Sequence, residues 1–303
     1  MLVRPRVLPT GLGASTGRGD LQLYGYEPAP VSTTGIVGGT PARSALTVVA
    51  GNVTHSTDGQ IFNNIWFQGI ASRRADNIKY NNCWFSNRAD CDDTTNSYGG
   101  TEYNDCTFEA ESPTNSTHEY AIVGYGFKAL RCYIRRFKDG VRIRNRGGSV
   151  ADVWVQQCYG DELLWWANDP SQTDGTHNDV IQIEGGTNFN ILGNSLHGFN
   201  SQVAPFGEMP GDGQIQSTSV LMYTDNVSDM NGLVNGNWLY GGEVTVNASK
   251  TSLSGVDIGT ISNNKWGRDF VSNSFNINSN LIYSFPENRY LDNNNFVTPH
   301  VAS

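Results

Sequence analysis

Apolar and polar residues alternate in this chain over short runs only, and glycine or asparagine interrupts each run within a few positions. Residues 180–184 set the pattern. Ile181 and Ile183 fall on one face of an extended chain, and Val180, Gln182 and Glu184 fall on the other. Gly185-Gly186 ends the run, residues 189–192 form a second strand, and Gly193-Asn194 turns the chain again. Two such strands bury too little apolar surface to be stable alone, so the unit must stack on copies of itself.

Copies are present on both sides. Residues 138–144 fit position for position onto 178–184, and each is followed by a glycine pair, Gly147-Gly148 and Gly185-Gly186. A polar residue followed by a strand start recurs as Asn64-Ile65, Asn82-Cys83, Asp105-Cys106, Arg131-Cys132, Gln157-Cys158, Asn194-Ser195, Asn237-Trp238 and Asn264-Lys265. The steps are 18, 23, 26, 26, 37, 43 and 27 residues. Such a period, built from short strands and turns with no helical periodicity, predicts an all-β solenoid of the parallel β-helix type. Over residues 44–296 the repeat resembles the right-handed parallel β-helix (pectate-lyase-like) superfamily. A fold of that kind does not by itself assign a reaction.

The repeat runs through most of the 303 residues, so one elongated domain is expected over 46–296. Residues 1–45, rich in Gly, Pro, Thr and Ser, read as an irregular N-terminal arm that caps the first coil or attaches to a larger assembly, and 297–303 as a tail. The net charge of -9 argues against nucleic acid as a partner, although a local Arg/Lys stripe can still bind an acidic glycan. Four of the five cysteines, Cys83, Cys106, Cys132 and Cys158, share one slot in successive coils. That placement predicts stacked free thiols and folding in a reducing cytoplasm, with Cys91 out of register in a loop. Residues 1–10 carry two arginines and two prolines with no apolar run behind them, so neither a signal peptide nor membrane insertion is expected.

Laying Tyr120-Ala121-Ile122-Val123 beside Gly140-Val141-Arg142-Ile143 places His118 over Lys138 and Glu119 over Asp139. The outward column then reads His118–Lys138–Asn178, Glu119–Asp139–Asp179, Arg142–Gln182 and Arg144–Glu184. It is the densest set of ionisable groups in the chain. Two insertions flank it, 159–176 with Trp165-Trp166 and 197–219 with Pro205-Phe206, and inserted loops tend to build a repeat protein's binding surface. This predicts a glycan site around Arg142, Arg144, His177, Asp179, Gln182 and Glu184, bounded by Trp165 and Trp166, with Lys138 and His118 as further contacts. Lyase chemistry on a uronic acid would use Arg142 or Arg144 to neutralise the carboxylate and His177 or Lys138 as base. Hydrolysis would need a closer acid pair than Asp179 and Glu184, which lie roughly 16 Å apart along one strand. Asp139 and Asp179 are close enough to share a proton or a cation. The competing reading is structural: Arg144 over Glu184 is a salt-bridge ladder, and the two aspartates cap turns. Asp90, Asp92 and Asp93 offer a Ca²⁺ site, but without a glycine at metal-loop spacing they read as a solvated loop, and no metal or cofactor is assigned.

The motifs of the family's hydrolases and calcium-dependent lyases are not found: Asp92-Asp93 stands alone and His197-Gly198 lacks a leading glycine. The stretch His177-x-Asp179-x-x-Gln182, followed by residues 190–194, is similar to one in β-helix proteins of actinobacteria and their phages, which usually carry glycine where Val180 stands. That stretch marks the coil; a β-helix with stacked free thiols, no export signal expected and a Pro/Gly arm resembles a bacteriophage virion protein, tail-associated (tailspike-like or minor tail) or decorating. It would recognise a host-surface polysaccharide, assemble as a homotrimer and contact other virion proteins through the arm. The alternatives are a polysaccharide lyase or glycoside hydrolase, and a purely architectural virion part.

Overall fold

A computed structural model describes residues 43–93, 98–111, 119–144, 150–167, 169, 175–199, 219–224, 230–268 and 273–301. The arm before Arg43, His118 and most of the insertion after Phe199 lie outside them. The described chain forms three parallel sheets of ten, ten and nine strands, here called A, B and C. Every third strand returns to the same sheet, as in Ile61–Asn63 (C), Ile65–Phe67 (A) and Ala71–Arg73 (B). This is the right-handed parallel β-helix expected from the repeat. Among the described residues no helix is long and apolar enough to cross a membrane.

Inward positions stack coil upon coil. Phe67, Phe85 and Phe108 pile up in sheet A, with ring centroids 5.1 and 4.7 Å apart. Phe62, Tyr80 and Tyr103 do the same in sheet C at 5.2 and 5.0 Å. From Ala129 and Ile134 onward the same columns continue in smaller residues such as Val155, Ile191 and Leu196. Offset ring pairs add cohesion beyond their buried area, and they return in the last coils with Trp266, Phe275 and Phe285.

The corner between sheets C and A carries the repeat signal. Asn64, Asn82, Asp105, Arg131 and Gln157 all take the left-handed conformation there, at φ between 51° and 58°. The residue that follows points inward, and it is Cys83, Cys106, Cys132 and then Cys158, each buried with a free thiol. Beyond Cys158 the expected alignment slips by one. Tyr159 pairs with Ser195, so Cys158 is opposite Asn194, and Gly193 supplies the left-handed turn. The column therefore continues as Asn194, Asn237, Asn264 and Asn288. Cys91 also departs from expectation. It lies in the sheet B strand Ala89–Cys91, inside the core and bonded to the Tyr103 hydroxyl at 3.2 Å.

Thiols and amides at this corner do the same work. The Sγ–H of Cys132 donates to the Tyr103 carbonyl and that of Cys158 to the Ala129 carbonyl, both at 3.3 Å. Asn194 and Asn237 direct Nδ2 to the equivalent carbonyls of Val155 and Ile191, at 2.9 and 2.8 Å. Each amide also bonds the next: Asn237 Oδ1 accepts both the backbone N–H and the Nδ2–H of Asn194. Asn194 Oδ1 accepts the Cys158 N–H at 2.8 Å and so joins the two ladders.

Candidate functional site

The outward charged column expected on sheet B is partly an inward one. Tyr120 pairs with Asp139 rather than Gly140, a shift of one residue from the expected register. Ala121, Ile122 and Val123 are all buried, so the strand has no alternation to set its pairing. Asp139 does stack beneath Asp179, whose backbone N–H donates to Asp139 Oδ1 at 2.8 Å. Both lie at the corner where sheet A passes into sheet B, and they are only 8% and 3% exposed. Val180, expected outward, is buried beside them, with its Cγ1 against Gly160. Burial pushes the Asp139 carboxyl up to about 7. Burial, and after it the charge of Asp139, holds Asp179 well above the usual carboxylate range.

The insertion after Glu162 closes this corner instead of walling a groove. Leu163 and Leu164 are fully buried, and Leu164 N–H donates to the Phe137 carbonyl at 2.8 Å. Asn178 Nδ2 donates to the carbonyls of Lys138 and Leu164. Lys138, expected outward, is buried and ion-paired to Asp169 at 2.6 Å. Trp165 and Trp166 are both half-buried, although neighbours on a strand should face opposite ways; the segment is irregular there, so the alternation does not apply. The Trp165 ring packs on Gly175, and Trp166 N–H donates to Thr176 Oγ1 at 3.0 Å. His177 is exposed beside them.

Further along the same face the expected salt-bridge ladder is present. Arg142 stacks on Gln182, and its guanidinium bonds the Tyr120 hydroxyl and the Glu184 carboxylate. Arg144 donates to Glu184 and to Asp92, each at 2.8 Å. Both guanidinium groups are thus committed to groups within the protein. The acids considered for Ca²⁺ are engaged as well: Asp92 by Arg144, Asp93 by Arg74 at 3.3 Å and Asp90 by Arg88 at 3.6 Å. Asp90 also belongs to a strand and not to a loop.

On sheet A the structure adds a cluster that the sequence did not single out. The His197 ring lies between Tyr159 and Tyr240, with centroids at 5.0 and 4.5 Å, and its Nε2 is 2.9 Å from Ser195 Oγ. Burial pulls His197 down to about 4. Burial and the neighbouring Glu162 push Asp161 up to about 7.

Among the described residues a concavity lies on sheet C, which the sequence did not mark. A groove of about 700 Å³ is lined by Thr187, Asn188, Asn190, Asn231, Asp257 and Thr260, among others. Two β-bulges bracket it. One sets Ala151 and Asp152 against Asn188, and the other sets Ile258 and Gly259 against Tyr283. Bulges re-aim side chains and are common beside functional sites. Beneath the groove the coils pack closely on two glycines: a Cβ at Gly232 would stand 2.3 Å from the buried Phe189 ring, and one at Gly259 would stand 2.1 Å from the Gly232 carbonyl. Trp154 lies one coil from Asn190 in the same outward column, which continues through Leu233 to Thr260. Its half-buried ring extends the polar lining with an aromatic surface. No protein-family model, curated protein or solved structure matches the chain.

Proposed function

We propose that this β-helix is a glycan-recognition protein of a bacteriophage virion, and that the groove on sheet C is its saccharide site. The observation that carries the reading is the groove itself, an open row of amide, hydroxyl and carboxylate side chains running on from a half-buried tryptophan. Sugars offer hydroxyl groups to such a lining and C–H faces to an indole, and sites of this kind combine a few placed polar groups with aromatic walls. The rigid solenoid holds that row at the strand spacing of about 4.8 Å, comparable to the advance of an extended saccharide chain. Binding is favoured over turnover because Arg142, Arg144 and Glu184, the residues suited to lyase chemistry, are bonded to one another and to Asp92 and Tyr120. The virion assignment, the homotrimer and attachment through the arm rest on the resemblance of a β-helix with stacked free thiols and a Pro/Gly arm to phage tail-associated proteins.

The test is incubation of the full chain with host-surface polysaccharides, following retention, chain length and the absorbance of unsaturated products. Retention without shortening is expected. Shortening with new absorbance would replace recognition by lyase activity, and shortening without it by hydrolysis.

A further inference from the structure

The polar side chains of the groove are already oriented, and their orientation selects a class of sugar; this inference rests on the groove being the saccharide site. Asp152, Asn188, Asn231 and Asp257 follow one another over four coils, an acid at each end and two amides between. Asn188 Nδ2 donates to Asp152 Oδ1 at 3.0 Å. Asn231 Nδ2 donates to Asp257 Oδ2 at 2.6 Å, and Asp257 Oδ1 accepts the Gly259 N–H at 2.8 Å. A carboxylate only accepts hydrogen bonds, so it fixes which end of each amide faces it: the NH₂ turns to the acid and Oδ1 is left for a ligand. The exposed middle of the row therefore presents the two Oδ1 acceptors, with the second N–H of each amide beside them. Two carboxylates stand at its ends, no lysine or arginine is among the lining residues, and Lys128 follows Trp154 one coil further along the same outward column.

We propose that the groove takes a saccharide rich in hydrogen-bond donors, with free hydroxyl or amino groups, and that it rejects sugars bearing carboxylate, sulfate or phosphate. An anionic sugar would bring negative charge toward Asp152 and Asp257. It would find no cation in the lining to offset that charge. A hydroxyl or ammonium group set between Asn188 and Asn231 meets two amide oxygens, and Asn190 in the next outward position offers both a donor and an acceptor.

The experiment is retention of the full chain on immobilised glucan, mannan, polyglucosamine, polygalacturonate and heparin, read as apparent affinity at low and at moderate salt. Retention on at least one of the first three is expected, with both acidic polymers at least tenfold weaker and the gap narrowing as salt rises. Asp257→Asn is expected to weaken retention on polyglucosamine and to strengthen it on polygalacturonate, each severalfold. Tight retention on an acidic polymer that Trp154→Ala abolishes would overturn the sugar class while leaving the groove in place. Retention that neither Trp154→Ala nor Asn190→Ala changes, or no retention on any of the five, would overturn both.

Discussion

Two inward columns of polar side chains run along this solenoid, and they differ in how a repeated side chain treats its own copy. At the C-to-A corner Asn194, Asn237 and Asn264 each donate to a carbonyl and to the next amide, in a ladder that ends at Asn288. At the A-to-B corner Asp139 and Asp179 are stacked in the same way, but Asp179 Oδ1 is buried without a hydrogen-bond partner. An amide is donor and acceptor at once, so a translational stack satisfies it without limit. A carboxylate accepts only, and a second one beneath it can be accommodated only by a shared proton or by charge at a cost. Stacking thus rewards self-complementary side chains. The thiols of Cys83 to Cys158 stand between these extremes, with weak donors that still reach the same backbone carbonyls.

Breaking the amide ladder should have the largest effect. Asn237→Leu removes the bonds to Ile191 and Asn264 and leaves the partners of Asn194 unmet, in a site with no exposure. Each orphaned buried group costs about 1–3 kcal/mol, so a loss of roughly 3 kcal/mol or more is expected in urea denaturation. The carboxylate pair should behave in the opposite sense. A carboxyl whose folded pKa is raised contributes stability below its unfolded pKa, near 4, and loses it as pH rises through the folded value, about 7 for Asp139. Wild-type stability is therefore expected to fall between pH 4 and pH 7. Asp179→Asn should flatten that decline and raise stability at pH 8, measured by denaturant titration across pH. A variant less stable at pH 8 would show the acids to be better paired than this account holds.

Smaller effects sharpen the same contrast. Cys132→Ser keeps a donor at the corner but leaves a void where the sulfur lay, and about 1 kcal/mol of destabilisation is expected in the same assay. Arg144→Ala removes two ion pairs from a side chain that is one-third exposed, so less than about 1 kcal/mol is expected, with glycan retention unchanged.

The solenoid was legible because strand and turn residues repeat, and Arg144 over Glu184 followed directly from that repeat. Register failed at Tyr120 because residues 121–123 are buried on both sides and carry no alternation. The amide ladder was hidden by a double change at one slot, where the turn residue becomes Gly193 and the inward residue Asn194. The exposure assigned to Asp139, Asp179 and Lys138 was wrong because those residues stand at a bend that Leu163 and Leu164 cover. The groove left no pattern in the sequence. It lies between two bulges in different coils, and Trp154 looks like any outward residue of its strand.

The most direct test of the account is the paired retention of Trp154→Ala and Arg142→Ala on the polysaccharide that best retains the wild type, with folding of each checked by circular dichroism. Trp154→Ala should retain at least tenfold more weakly, about 1.4 kcal/mol, and Arg142→Ala should retain like the wild type. Retention lost in Arg142→Ala and kept in Trp154→Ala would move the site to sheet B and contradict it.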